Sequence, residues 1–470
     1  MKLLRMFLLG SALAAFPIHP AAAQEPGETA FRALFKEMVE IDSSPESGSC
    51  TPVIEALVAR MKQTGYPAEN LHVFIPPEDP RAAALVAIYP GREPKLPAVL
   101  LLGHVDVVNA RRADWTRDPY KLVEEDGYFY ARGVADMKAQ NAIWADSLLR
   151  YHAEAYRPRR TIKMALTCGE EGGGLLNGAR WLVENQRALI DAGFALNEGG
   201  YGEFDASGTK RLNQTFQAAQ KISMSFTLAA TNPGGHSSVP RPDNAIYSLA
   251  RALNRLSAYE FPVRLIDANK GYFSRMAPLI GGEVGAAMAA IVADPEDQAA
   301  NDILNRSPTY HTMLRTTCVA TMLSGGHAGN ALPQRATANI NCRVMPGTGA
   351  EEVLATLTRV IADPEIVITA GRSMTPVPPA PVTDKLLAPA QQVSSRIWPG
   401  VPVVPHLQPG ASDAVTLNAA GIATYGVSGL FRDPDNNGVH GLNERIRVRS
   451  VMEGRRFLYE LVKAYAEQGQ

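Results

Sequence analysis

Short, unbroken apolar runs alternate with helical periodicities through the first half of the chain. Ala98-Val99-Leu100-Leu101-Leu102 has no polar member and stops at Gly103. A run of this kind suits a strand buried on both faces, as in α/β sheets. Ala83 to Tyr89, closed by Pro90-Gly91, reads as a strand in the same way. So do Thr161 to Thr167, ending at Cys168-Gly169, and the shorter Phe194-Ala195-Leu196. Between them the spacing predicts helices over Ala139 to Tyr151 and Gly178 to Asn185. Nearer the N-terminus, Phe31, Leu34, Phe35, Met38 and Val39, then Ile54, Leu57, Val58 and Met61, recur at helical intervals. The whole stretch from Glu28 to about Lys62 is therefore expected to be helical. Strands alternating with helices argue for an α/β core.

The pattern changes after about Gly200. Lys221 to Ala230 alternates, with Ile222, Met224, Phe226 and Leu228 on one face, as a half-exposed strand does. A helix (Asn244 to Leu256), two strands (Thr316 to Leu323, Ala336 to Val344), a helix (Glu351 to Ile361) and a strand (Glu365 to Ala370) follow. Strand, helix, strand, strand, helix, strand is the ferredoxin-like order. Residues 218–372 are accordingly read as an inserted α+β domain. Its stretch 266–315 is extra, partly helical and Ala-rich, with no assigned role. Residues 24–217 and 373–470 are read as two parts of one α/β domain. The Pro-rich Thr375 to Val382 links back to it, Ala423 to Val427 adds a strand, and a last helix spans Val448 to Ala466.

Composition fits this division. A chain of 470 residues is too long for one ordinary core. Hydrophobic residues at 46% and charged residues at 20% are the profile of a soluble globular chain. A formal net charge of −1 and the lack of a long Lys/Arg run argue against a nucleic-acid partner. Lys2 and Arg5, the apolar Met6 to Ile18 and then Ala21-Ala22-Ala23 form a signal-peptide pattern over 1–23. The apolar run is shorter than a membrane span needs, and no Cys follows the cleavage site. A bacterial-type export signal, a mature chain from Gln24, periplasmic or secreted residence and no stable membrane anchor are therefore expected. The four cysteines, Cys50, Cys168, Cys318 and Cys342, are too few for a disulfide scaffold. Cys318 and Cys342 lie in strand-like segments, where pairing and two buried thiols are both open. Cys168 reads as core.

Five segments carry candidate ligands, and each falls just past a strand, where sites form in open α/β sheets. Leu102-Gly103-His104-Val105-Asp106 offers an imidazole with an acid two residues on, able to hold the other ring nitrogen. Asp136, in Val134-Ala135-Asp136-Met137-Lys138, precedes a helix and could equally be its N-cap. Cys168-Gly169-Glu170-Glu171-Gly172 places two adjacent carboxylates on a Gly-rich loop, unfavourable unless a cation joins them. Leu196-Asn197-Glu198 and Val439-His440-Gly441-Leu442-Asn443-Glu444 complete the set. Two His and three carboxylates as ligands, with a spare carboxylate and no thiolate, fit two zinc ions or similar hydrolytic metals.

These motifs, in this order, resemble the co-catalytic two-zinc family of aminoacylase, glutamate carboxypeptidase, acetylornithine deacetylase and succinyl-diaminopimelate desuccinylase. The resemblance covers nearly the whole mature chain. It implies a mixed-sheet zinc-peptidase catalytic domain with an inserted ferredoxin-like lid. It also implies that His104 and Glu198 bind one zinc, Glu171 and His440 the other, and that Asp136 bridges them. Cobalt or manganese are substitutes the family's chemistry admits. Glu170 would be the general base, Asp106 would orient His104, and the Asp136-Met137 peptide would be cis. In the lid, Gly234-Gly235-His236-Ser237-Ser238 resembles the motif whose histidine stabilises the oxyanion, often in a partner's site. Asn330 and Arg343 resemble residues that hold the substrate carboxylate. A homodimer through the lid is implied, although the extra 266–315 stretch and Ala139, where glycine is common, depart from the pattern.

The leading expectation is hydrolysis of a small peptide, as a carboxypeptidase or dipeptidase, by zinc-activated water. An N-acyl amino acid hydrolase is the alternative, and an amidase for ureido acids would use the same centre. A non-catalytic binding protein on this fold would have lost ligands or base, and here all are present.

Overall fold

The apolar runs of the N-terminal half become neighbours in one mixed sheet of ten strands. The order is Leu71–Phe74, Ala84–Tyr89, Ile162–Thr167, Val99–His104, Phe194–Asn197, Thr424–Gly426, Arg211–Gln220, Gly202–Phe204 and Phe431–Arg432. Val403–Gln408 adds to Arg211–Gln220 in parallel. The structure, a computed structural model, describes residues 26–371 and 376–469, so the signal segment expected at 1–23 lies outside it. Val99–His104 is parallel to both Ile162–Thr167 and Phe194–Asn197. Their carboxyl ends therefore emerge at one edge, which sets the place of the site.

Helices cover both faces of the sheet. Lys138–Ala153 mixes polar and apolar residues yet is buried along most of its length. It packs against Glu28–Glu40 and Val448–Glu467. Two of its buried polar groups are bonded within the protein: Asp146 accepts from Arg455 Nε at 2.8 Å, and Ser147 Oγ donates to Ile143 O at 2.7 Å. The expected helical stretch from Glu28 to Lys62 is two helices, Glu28–Glu40 and Thr51–Gln63. The break is local turn chemistry: Asp42 Oδ1 accepts from the Ser44 amide at 2.9 Å, and its Oδ2 from Ser47 Oγ at 2.6 Å.

The inserted unit is a four-stranded antiparallel sheet in the order Thr317–Gly325, Arg335–Val344, Ile222–Thr231, Ile366–Ala370. In chain order that is 2-3-1-4, the ferredoxin-like arrangement. Ile222, Met224, Phe226 and Leu228 face a core shared with the helices Ala245–Ser257 and Ala350–Ile361. The extra stretch forms four helices: Asp267–Ile280, Gly282–Ala293, Gln298–Asn305 and Pro308–Leu314. They pack on the strand Val403–Gln408 through a core that includes Phe273, Met276, Met288 and Val404. Arg275 Nη1 donates to Val403 O at 2.6 Å. The buried Lys221 ties the start of the lid to the last of these helices through Thr312 Oγ1 at 2.9 Å and Arg315 O at 2.5 Å. These helices thus brace the junction between the lid and the large sheet.

All four cysteines are paired. Cys318 and Cys342 face each other in register across adjacent lid strands. Cys168 is buried, as expected, but bonded to Cys50 across 118 residues. Among the described residues, no helix is long and apolar enough to cross a membrane.

Candidate metal centre

The strand-end residues converge. His104 ends its strand fully buried, and Gly103 before it leaves no room for a side chain. A Cβ there would lie 2.1 Å from Asn141 Oδ1. That close approach lets the Asn141 amide hydrogen-bond to His104 O and fix the strand end. Gly169, with φ +80, turns the chain so that Glu170 and Glu171 leave the strand toward the same edge. Asp136 is not a helix cap. The helix begins at Lys138, with Met137 as a cap residue that makes no side-chain bond. The Asp136-Met137 peptide is cis.

Asp136 lies between two histidines. Its Oδ1 is 3.5 Å from His104 Nε2, and its Oδ2 is 3.3 Å from His440 Nε2. Glu198 Oε2 is 3.7 Å from the same His104 nitrogen, and Glu171 Oε1 is 2.9 Å from the same His440 nitrogen. Two donor groups result, each with one imidazole and one glutamate, sharing the two oxygens of one aspartate. Glu170 lies with His104 and Glu198, their ligand atoms all within 4.8 Å of one another.

Asp106 supports this arrangement differently from expectation. His104 Nδ1 is 3.0 Å from the main-chain oxygen of Asp106 and 3.6 Å from its carboxylate. Asp106 Oδ2 instead accepts the Glu171 amide at 3.0 Å, so one buried residue steadies a member of each donor group. Asp413 escaped the sequence reading. It is buried beside the cluster after the strand Val403–Gln408, and its Oδ1 accepts from Asn177 Nδ2 at 2.7 Å. It follows a strand, Val403–Gln408, that the apolar pattern of the sequence does not show.

The electrostatics call for cations. Burial, then the neighbouring Glu198, pushes Glu170 up to about 10. Burial lifts Glu198 to about 7 against the pull of His104. Burial would also raise Asp136, but His104 and His440 on either side hold it well below the usual carboxylate range. The bonds to Asp136 and Glu171 raise His440 to about 10. Burial disfavours the charged ring of His104, yet Asp106, Asp136 and Glu198 outweigh it and hold its pKa well above the usual value. With protein groups alone, protons do the neutralising. Divalent ions in their place would leave neutral imidazoles and ionised carboxylates, the ligand forms.

The donor set fits such ions. Among the described residues, His104 Nε2 and Asp136 Oδ1 are buried and find no hydrogen-bond partner, although each faces the other. Ligand atoms held at about 2.0–2.1 Å around a tetrahedral zinc ion lie roughly 3.3–3.5 Å apart, close to this separation. Nitrogen and oxygen donors without thiolate are those of hydrolytic metal sites.

Not every expected site residue joins the cluster. His236 and Asn330 lie side by side on exposed lid segments, where Gly235–His236 pairs with Ala331–Leu332 and the Ser237 amide donates to Asn330 O at 3.0 Å. His236 Nδ1 meets Ser238 Oγ at 2.7 Å. Arg343 is half-buried in Arg335–Val344, opposite Ser223 and Thr317, on the sheet face away from the lid helices. Among the described residues, none of the three bonds to the donor groups.

A mixed α/β sheet with paired His-carboxylate donor groups at its carboxyl edge, joined by one aspartate, defines a metallohydrolase. The chain belongs to peptidase family M20/M25/M40, whose pattern matches residues 100–464, and it is accordingly a hydrolase of amide bonds. It is 26% identical over 380 residues to the N-fatty-acyl-amino acid synthase/hydrolase PM20D1 of Homo sapiens, covering 79% of this chain and 75% of that protein. It is 24% identical over 442 residues to aminoacylase-1 of Mus musculus, covering 92% and 93%. Its fold is similar to that of the M20 family metallo-carboxypeptidase Sso-CP2 from Sulfolobus solfataricus. There the TM-score is 0.66 at 16% identity, over 93% of this chain and 99% of that one.

Proposed function

We propose that this protein hydrolyses the amide bond of a small peptide bearing a free carboxylate, as a carboxypeptidase or dipeptidase. The observation that carries the reading is Asp136 between His104 and His440, with Glu170 beside them and outside the imidazole contacts. In this reading His104, Glu198 and Asp136 hold one zinc ion, and Glu171, His440 and Asp136 the other. Cobalt or manganese can take their place. When bound, such ions supply Lewis acidity, lowering the pKa of a water and polarising a carbonyl. Glu170 takes a proton from the attacking water at a carboxylate oxygen and delivers it to the leaving amine nitrogen. Asp106 keeps His104 and Glu171 in place through its main-chain oxygen and its carboxylate.

His236, Asn330 and Arg343 serve the substrate, with His236 donating to the developing oxyanion and Arg343 pairing with the free carboxylate. The exposed position of His236 and Asn330 favours a homodimer through the lid, in which they complete a partner's site. The lid edge strand Thr317–Gly325 supports this, since it leaves Val319, Met322 and Leu323 exposed. The two disulfides and the pattern over 1–23 support export to the periplasm or beyond.

A second reading, hydrolysis of N-acyl amino acids, is favoured by the likeness to PM20D1 and aminoacylase-1. Both substrates place an amide next to a carboxylate, so the same centre serves either. A panel of dipeptides and N-acyl amino acids decides between them. Cleavage of dipeptides, abolished by chelator and restored by zinc, is the expected result. Turnover confined to acylated compounds would replace the peptidase reading with the second. Arg343→Ala is expected to raise KM about 10-fold or more for free acids, the loss of one charge-assisted bond pair, with little change for the methyl esters. An equal effect on both would remove Arg343 from carboxylate recognition.

A further inference from the structure

Glu444 is fully buried, and among the described residues its carboxylate bonds to no histidine or carboxylate side chain of the metal centre. Its carboxylate is instead enclosed by one loop. Oε2 accepts from Arg132 Nη1 at 2.7 Å and from the Gly133 amide at 3.1 Å. Oε1 accepts from the Ala135 amide at 2.8 Å and the Asp136 amide at 3.2 Å. The main-chain oxygen of Glu444 takes the Ala131 amide at 3.2 Å. Arg132 is also buried, and its guanidinium lies 5.0 Å from the Trp115 ring centroid. Its second terminal nitrogen, Nη2, donates to Gly441 O at 2.8 Å. Asn443 Oδ1, next to Glu444, accepts the Thr116 amide at 3.0 Å.

These bonds have a direction. The loop from Arg132 to Asp136 is wound on one carboxylate and ends with the amide of Asp136 itself. The guanidinium that neutralises this carboxylate then reaches the carbonyl next to His440. Asp136 and His440 are 304 positions apart in sequence, 440 − 136, and this ion pair, at 2.7 Å, joins the segments that carry them. A buried carboxylate needs several donors to offset its desolvation. Here four of those donors belong to the loop that delivers Asp136. A guanidinium holds its donors on two separate terminal nitrogens in one rigid plane, so it spans two acceptors that an ammonium would have to reach from a single nitrogen.

We propose that Glu444 and Arg132 form a positioning clamp that sets the separation of Asp136 from His440, and so the spacing of the two metal positions. The proposal rests on reading Asp136 and His440 as ligands. Groups outside the ligand shell that orient metal ligands typically contribute about 10–100-fold in affinity or activity. Glu444 and Arg132 touch neither substrate nor metal; they act through the residues that do.

The test uses the full mature chain and zinc itself as probe. Zinc dissociation constants are measured by competition with a chromophoric chelator for wild type, Glu444→Gln, Arg132→Lys and Asp136→Asn. Kinetics are taken at saturating zinc, and thermal midpoints on the chelated proteins. Arg132→Lys keeps a cation for Glu444 but has one nitrogen on a shorter stem where Arg132 uses two, so it does not hold Glu444 Oε2 and Gly441 O in their present positions. It is expected to weaken zinc binding about 10–100-fold and lower kcat about 10-fold, with KM within about twofold. Its chelated form should melt close to wild type. Glu444→Gln should do the same more strongly. If Glu444→Gln does not fold, Arg132→Lys decides. Wild-type zinc affinity and kcat in a folded Arg132→Lys would overturn the clamp, as would a loss of thermal stability alone. Asp136→Asn separates the two levels. If it retains both ions at wild-type affinity, the ligand reading fails and the clamp with it; if it loses zinc while Arg132→Lys does not, only the clamp fails.

Discussion

Glu170→Gln is expected to lower kcat by about 10²–10⁴-fold while the protein keeps both metal ions. The amide has the size of the carboxylate but cannot take a proton from water at neutral pH. The rest of the cluster gives the retention of metal. The carboxylate contacts to the Nε2 atoms of His104 and His440 are made by Asp136, Glu171 and Glu198, and none of them involves Glu170. Removing one negative charge from this crowded group also relieves Glu198, whose proximity raises Glu170. The measurement pairs steady-state kinetics with metal analysis on the same preparation. Loss of activity with two ions bound supports the proton-transfer role. Loss of one ion together with activity would make Glu170 a ligand, and near-normal turnover would remove it from the chemistry.

The donor groups were legible in the sequence because strand ends are legible. His104, Glu170, Glu171 and Glu198 each follow an apolar run or short strand whose burial leaves one direction for the next residues to go. What was not legible depended on contacts between distant segments. Arg211–Gln220 is a strand of the large sheet, but its polar string RLNQTFQAAQ carries no apolar alternation. It is buried because its polar groups find partners: Gln214 donates to Thr215 O at 3.0 Å, Asn213 to Glu203 Oε2 at 2.7 Å, and Gln217 to Gln220 Oε1 at 3.1 Å. Val403–Gln408 contains Pro405, which argues against an interior strand. It is an outer strand paired to Arg211–Gln220, with helices of the extra stretch on its surface. Without that strand, Asp413 had no strand end to mark it. The helical reading across Asp42 to Ser49 failed for the opposite reason. Periodicity on both sides was strong, and the short turn between them is set by side-chain bonds rather than by pattern.

Cys50→Ala/Cys168→Ala is expected to destabilise the protein by about 2–5 kcal/mol, at the upper end because the closed loop is long. The bond joins residues 118 apart, against 24 for Cys318–Cys342. In the chain-entropy account the cost grows with the logarithm of that separation, so removing the longer link should lower the thermal midpoint more. Position adds to length. Cys168 lies two residues before Glu170, and Cys50, at the start of Thr51–Gln63, is held by its amide on Arg81 O at 2.9 Å. The bond therefore ties the turn that carries Glu170 and Glu171 to a helix packed on the same sheet. Cys318–Cys342 instead joins two lid strands that already pair in register, so the ladder shares its task. Calorimetry of the two double variants, both zinc-loaded, compares them directly, with a dithiol reductant on wild type as the third arm. A larger midpoint shift for the Cys50/Cys168 pair, with kcat lowered only there, is the expected outcome. Equal shifts with unchanged kcat in both would mean that β-sheet and helix packing hold the Glu170 turn without the disulfide.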